Sequence, residues 1–283
     1  MKKYTVLFVA IILTALFVNV SAQTKSYPFE IKKSGKGKQV IIFIPGFASS
    51  DAVWDETRGK FENDFTCYSL TMAGFAGVQP QPEPTFKKWA TGIANYIQDN
   101  KIEKPILIGH SMGGALALAI ASDFPDLLDK IVVVDALPCL PAVMNPTFQP
   151  REKNDCSAMV NQFTTISDEQ FKKMQSTSIS QLCQDKTMQN VVLDWSIKTD
   201  RKTFAEMYCD FFNTDLREKI KNIKCRNLIL LESYFANMKP TIEEQYKNLK
   251  PGNLQYANKG LHFIMYDDKE WYFTQLNNFL TAK

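Results

Sequence analysis

Apolar residues recur along this chain in two rhythms. Residues 39–44, QVIIFI, form an almost unbroken apolar run, the pattern of a strand covered on both faces. The runs PILIG at 105–109 and KIVVV at 130–134 predict two more such strands. Between them the spacing changes. Phe86, Trp89, Ile93 and Ile97 fall three and four apart and predict a helix over 85–99, and a second helix is expected over 112–123. Strands alternating with helices imply crossover units and a parallel sheet. The alternation resumes near the C-terminus, with strands at 227–231 and 254–257 and helices at 241–249 and 269–280. A weaker strand is expected at 65–70. At the N-terminal side, 27–33 reads as an edge strand joined through a glycine-containing hairpin turn, 34–38, to the strand at 39–44.

The sheet pattern is interrupted from 138 to 222. That segment opens with Pro138, Pro141, Pro146 and Pro150 and is too long for a loop. Its amphipathic character predicts a helical cap, leaving 23–137 and 223–283 as the α/β core. The cap carries Met144, Met159, Met174 and Met207 with Phe148, Phe163, Phe171, Phe204, Phe211 and Phe212. Most of these are expected to pack the cap on itself, and so Met- and Phe-rich a cap suggests an adaptable apolar pocket.

Lys2 and Lys3 precede an apolar stretch from Val6 to Val20, and Val20-Ser21-Ala22 supplies a small-residue cleavage site. A signal peptide over 1–22 is the expectation, with export to the periplasm or beyond and no stable membrane insertion afterwards. Cleavage after Ala22 leaves 261 of the 283 residues, and the 33 basic groups fall to 31 against 30 acidic ones. So neutral a chain has no field to gather nucleic acid or an anionic membrane, and a small-molecule substrate is expected. Six cysteines, 67, 139, 156, 183, 209 and 225, allow fifteen pairings in an oxidising compartment. None lies closer than sixteen positions to the next and there are two histidines, so neither a metal nor another cofactor is implied.

Gly109-His110-Ser111-Met112-Gly113 sits between the strand PILIG and the helix MGGALALAIA. A serine on a tight strand-to-helix turn projects its hydroxyl clear of the sheet, and such a nucleophile elbow needs small residues on both sides. The helix that follows aims its free N–H groups at charge developing there.

On these residues the sequence resembles the α/β-hydrolase family, over essentially the whole mature chain. The resemblance implies an oxyanion loop at Pro45-Gly46-Phe47, with Pro45 where the family often has histidine, and the backbone N–H groups of Phe47 and Met112 as oxyanion donors. A serine nucleophile needs a base. His110, beside Ser111, reads as a packing residue. His262, in Lys259-Gly-Leu-His-Phe263, falls where the family carries its catalytic histidine. The acid is less regular, because 227–234, NLILLESY, has no Asp at the end of its strand. Asp135, ending the strand KIVVV, is the first candidate, since some members of the family place their acid there and the order Ser, Asp, His is kept. Glu232 is the alternative, with Asp267 and Asp268 behind it. The string His262-Phe-Ile-Met-Tyr-Asp-Asp268, with Trp271 and Val134-Asp-Ala-Leu-Pro138, resembles a group of exported bacterial α/β-hydrolases.

The function implied is an esterase-like acyl hydrolase working through an acyl-enzyme on Ser111, without a cofactor. A binding protein that kept the fold and lost turnover is the alternative from another class. Amide, thioester and carbon–carbon cleavage remain open among hydrolases. Haloalkane dehalogenase and epoxide hydrolase chemistry are disfavoured because both need Asp at position 111.

Overall fold

The computed structural model describes residues 25–281; the leader expected over 1–22 lies outside them. Seven strands form one sheet: β1 (Phe29–Gly35), β2 (Val40–Ile44), β3 (Thr66–Met72), β4 (Ile106–His110), β5 (Lys130–Val134), β6 (Arg226–Leu231) and β7 (Leu254–Tyr256). Their order is β1-β3-β2-β4-β5-β6-β7, with β1 antiparallel to β3 and every other pairing parallel. Helices α1 (Asp55–Phe61), α2 (Phe86–Asp99) and α3 (Met112–Asp123) precede β5. Four helices lie between β5 and β6: α4 (Ser157–Thr165), α5 (Asp168–Leu182), α6 (Lys186–Ile197) and α7 (Arg201–Phe212). After β6 come α8 (Lys239–Tyr246), the single turn α9 (Ile264–Asp267) and α10 (Lys269–Thr281).

The continuous apolar runs follow from burial of both sheet faces. Successive side chains on a strand point to opposite sides. Ile42, Ile44, Ile131 and Val133 therefore join the core cluster containing α2, α3 and α8 residues. Ile41, Phe43, Val132 and Val134 join the opposite cluster with α10. All eight are fully buried, and each contributes roughly 2 kcal/mol of transfer free energy. Helix α2 starts where Thr85 accepts from the Lys88 N–H at 3.1 Å, and it buries Phe86, Trp89, Ile93 and Ile97. Helix α3 is buried from Met112 to Ser122, so small residues on several faces let it lie close to the sheet.

The hairpin between the first two strands is not formed. Strand β3 lies between β1 and β2, because both edges of β2 are taken: Ile41 pairs with Cys67 on one side and Ile106 on the other. The segment 34–38 instead crosses the start of β3. A Cβ on Gly35 would stand 2.1 Å from the Phe65 carbonyl oxygen and one on Gly37 1.9 Å from that of Asp64. Helix α1 has no counterpart in the sequence reading, since its seven residues bury only Thr57 and Phe61 and show no amphipathic period.

The four-helix segment is tied internally by the disulfide Cys156–Cys209, which joins the residue before α4 to α7. Its own small core of Phe171 and Phe204, with Phe163 and Met174 against them, reaches Ala48 and Phe47 in the turn after β2. No helix among the described residues is long and apolar enough to cross a membrane.

Candidate active site

Ser111 stands between β4 and α3 with φ 54° and ψ −124°, a conformation that costs a non-glycine residue about 1–3 kcal/mol. Its N–H is held by the Val134 carbonyl at 2.8 Å. The flanking glycines are required by close approach. A Cβ on Gly109 would stand 2.1 Å from the Gly113 oxygen, and one on Gly113 would stand 2.3 Å from the Ile44 oxygen and 2.5 Å from that of Pro45. Strand β2, the 45–47 turn and the elbow are thus in backbone contact. A Cβ on Gly46 would fall 3.2 Å from that of Ser111, which brings the turn carrying Phe47 against the serine. Among the described residues, neither the Phe47 N–H nor that of Met112 meets an acceptor; as the first helical residue, Met112 has none within α3.

Asp135 follows β5 directly, also at positive φ (49°), and is 3% exposed. Its Oδ1 accepts the Glu232 backbone N–H at 2.7 Å. Its Oδ2 lies 2.6 Å from His262 Nδ1. A carboxylate only accepts, so Nδ1 carries the proton and Nε2 presents a lone pair. Burial works against the charged imidazole, but the hydrogen bond and charge of Asp135, with the charge of Glu232, outweigh it and raise His262 above its ordinary value.

The loop bearing His262 is fixed from several sides. His110 Nε2 bonds the His262 carbonyl oxygen at 3.0 Å, which makes Nε2 the protonated nitrogen of that ring. Burial, then the neighbouring His262, holds His110 well below the usual histidine range and hence neutral. His110 is more than packing; it anchors the backbone of the other histidine. Asp267 accepts from the backbone N–H groups of Leu261, Gln184 and Asp185, and Asp268 from that of Lys259. Neither carboxylate is brought to the imidazole. The Glu232 carboxyl also stays off it, sharing the site as a neighbour: burial, then the charge of Asp135, pushes it up to about 7.

Ser111, Asp135, His262 and Glu232 line one cavity of about 400 Å³, within the size of small-molecule sites. The helices between β5 and β6 supply much of its wall, including Ile179, Val192, Tyr208, Phe211 and Phe212. Phe47 meets Tyr208 and Phe204 edge-on with ring centroids 5.6 and 4.7 Å apart. Among the described residues no methionine lines the cavity. Met144 is 88% exposed, Met207 is buried in the main core and Met174 packs on the Phe171 cluster, and aromatic rings together with aliphatic side chains such as Leu137, Ile179 and Val192 form the apolar wall. Gln175, Ser196, Tyr208 and Phe235 also line the cavity and were not singled out from sequence as site residues, because no local motif marks which face of a helix a distant element will cover.

A family profile described as alpha/beta hydrolase fold matches residues 39–268. The chain belongs to that family. Among curated relatives, a pimeloyl-[acyl-carrier protein] methyl ester esterase of Wigglesworthia glossinidia brevipalpis is 24% identical over 71% of this chain and 76% of its own length. A 2-(acetamidomethylene)succinate hydrolase of Mesorhizobium japonicum is 27% identical over 38% of this chain and 39% of its own. An uncharacterised Mycobacterium tuberculosis protein is 28% identical over 38% of this chain, and only 31% of its own length is spanned. Among solved structures, the enol-lactonase of Burkholderia xenovorans LB400 superposes with a TM-score of 0.74 at 14% identity, covering 90% of this chain and 96% of that one. A thermophilic esterase of Thermogutta terrifontis gives 0.74 at 16% identity, covering 92% and 95%.

Proposed function

We propose that this protein is a serine hydrolase that cleaves small carboxylic esters through an acyl-enzyme on Ser111. The observation that carries the reading is the 2.6 Å contact between Asp135 and His262 Nδ1, made in the cavity onto which the strained Ser111 also opens. In this reading His262 Nε2 takes the Ser111 proton as Oγ adds to the ester carbonyl, and buried Asp135 stabilises the imidazolium. The tetrahedral oxyanion accepts from the N–H groups of Phe47 and Met112, worth about 3–4 kcal/mol per donor in comparable sites. The imidazolium then returns its proton to the departing alkoxide, and water releases the acyl group by the same steps. Relatives named as esterases and hydrolases support the reaction class. The alternative of a fold kept for binding alone rested on the lack of an acid at the usual strand end, and the Asp135 contact removes that support.

We read the mature chain as exported; the Cys156–Cys209 disulfide, a bond that oxidising compartments sustain, supports this. The test of function is labelling by a fluorophosphonate together with turnover of p-nitrophenyl esters. The parent protein should be labelled and should release p-nitrophenol, and Ser111→Ala should do neither. A parent chain inert to both reagents refutes the proposal.

A further inference from the structure

The wall that the four-helix segment gives the cavity is interrupted by a buried polar pair. Gln175 on α5 and Ser196 on α6 are 9% and 2% exposed, and both line the cavity that holds Ser111. Ser196 Oγ donates to Gln175 Oε1 at 2.9 Å. That bond commits the carboxamide oxygen and leaves the NH2 group facing elsewhere. Among the described residues the NH2 meets no acceptor, and it is not one of the polar atoms sealed in the core, so it keeps some accessible surface on a side chain that lines the cavity. A donor so far withdrawn from bulk solvent is costly when unpaired, and such groups are rare unless something bonds them. On the same two helices Ile179 and Val192 also line the cavity and have no acceptor to offer, and Ser178, which lines it too, makes no hydrogen bond to the NH2.

Charge narrows the class of partner. The charged side chains outside the histidines that line the cavity are Asp135 and Glu232, both carboxyls, and no Lys or Arg lines it. An anionic group would enter against two acidic residues with no cation to meet it. A neutral oxygen acceptor has no such penalty.

We propose that the Gln175 NH2 group, steadied by Ser196, reads the substrate. The preferred ester then carries an uncharged oxygen acceptor, a ketone or an ether, on the part of its apolar chain that lies against the inserted helices. This rests on the ester-cleaving reading of Ser111. A purely architectural role, in which the pair only locks α5 to α6, is what the experiment separates from it.

The assay takes the full chain and p-nitrophenyl esters of straight-chain acids from five to ten carbons. Each is compared with counterparts in which one CH2 beyond the third carbon is replaced by a carbonyl, every rate being normalised to alkaline hydrolysis of the same ester. At one position the oxo ester should exceed its parent in kcat/KM by about tenfold, the scale of one buried hydrogen bond. Gln175→Leu should bring that ratio to near one, and Gln175→Met, of similar length but without a donor, should do the same. The ratio is measured within one preparation, so a misfolded fraction cancels. An architectural role lowers both rates together and leaves the ratio standing, which overturns the proposal. So does a parent protein that shows no preference at any position while still turning esters over. If neither ester is cleaved and Ser111 is not labelled, the hydrolase reading itself fails and takes this one with it.

Discussion

Asp135→Asn isolates what the buried carboxylate does for His262. The carboxylate accepts two bonds, from the Glu232 backbone N–H at 2.7 Å and from His262 Nδ1–H at 2.6 Å. Asparagine has one acceptor oxygen, and the backbone N–H of Glu232, which cannot turn away, claims it. The new NH2 then faces Nδ1 and can only donate to it. The imidazole proton is driven to Nε2, the atom that in the proposed mechanism receives the proton of Ser111. The same tautomer error in another serine triad costs on the order of 10⁴ in kcat, or about 5.5 kcal/mol of transition-state stabilisation. Asn tolerates the positive φ of 49° as Asp does, so the variant should fold. The measurement is kcat/KM on a p-nitrophenyl ester beside a thermal melt, with turnover down about 10⁴-fold and Tm within a few degrees of the parent. Turnover within a few-fold of the parent, with Glu232→Gln abolishing activity instead, would show that the other carboxyl orients the imidazole.

Glu232→Gln should act on pH dependence. The proposed mechanism needs neutral His262, so kcat/KM should fall as pH drops through the raised imidazole value; removing the Glu232 charge, one of the groups that raise it, should move this acid limb to lower pH. The same variant should alter stability, since Glu232 sits at about 7 in the fold against 4.5 ordinarily and the folded state therefore takes up a proton. Its contribution is full below pH 4.5 and is lost as pH rises through about 7. After allowance for solvent screening this is on the order of 1–2 kcal/mol, and melts across that window should be flatter in the variant. Gly113→Ala should lower Tm by roughly 5 °C or more, because the added Cβ meets two backbone oxygens at 2.3 and 2.5 Å that no rotamer change relieves; an unchanged melt would mean that the elbow and the 45–47 turn are not in the contact described.

The elbow was legible because it is local: strand, turn and helix follow one another within about twenty residues, and the glycine spacing is dictated by contacts inside that stretch. For the acid, Asp135 could be put first, but Glu232, Asp267 and Asp268 stayed behind it as alternatives, because the choice depends on strand order. In the fold β5 lies between β4 and β6, with His110 opposite Val134 and Val134 opposite Leu230, so Ser111 and Asp135 leave the sheet at the same level. The place of β1 was misread for a related reason, since nothing in 27–44 reveals that both edges of β2 are occupied. The cavity wall was the least legible part. Gln175, Ser196 and Tyr208 belong to three helices whose mutual facing is tertiary, and the pairing of Cys156 with Cys209 is one of fifteen that the six cysteines allow.

Three non-glycine residues of the cavity, Ala48, Ser111 and Asp135, have positive φ, and each follows a strand at its carboxyl end. At about 1–3 kcal/mol apiece, such conformations persist only where the surroundings over-determine them. For two of them the restraint is explicit: Ser111 hangs by its N–H from Val134 of β5, and Asp135 by its N–H from Leu230 of β6 at 2.7 Å. Both of these residues are thus held by the next strand along. The serine depends on β5, the carboxylate that follows β5 depends on β6, and the buried apolar residues of those strands supply roughly 2 kcal/mol each to keep them in register. The apolar runs that announce the sheet are for this reason also what holds a hydroxyl and a carboxylate at the same level of its edge, although none of their side chains carries chemistry.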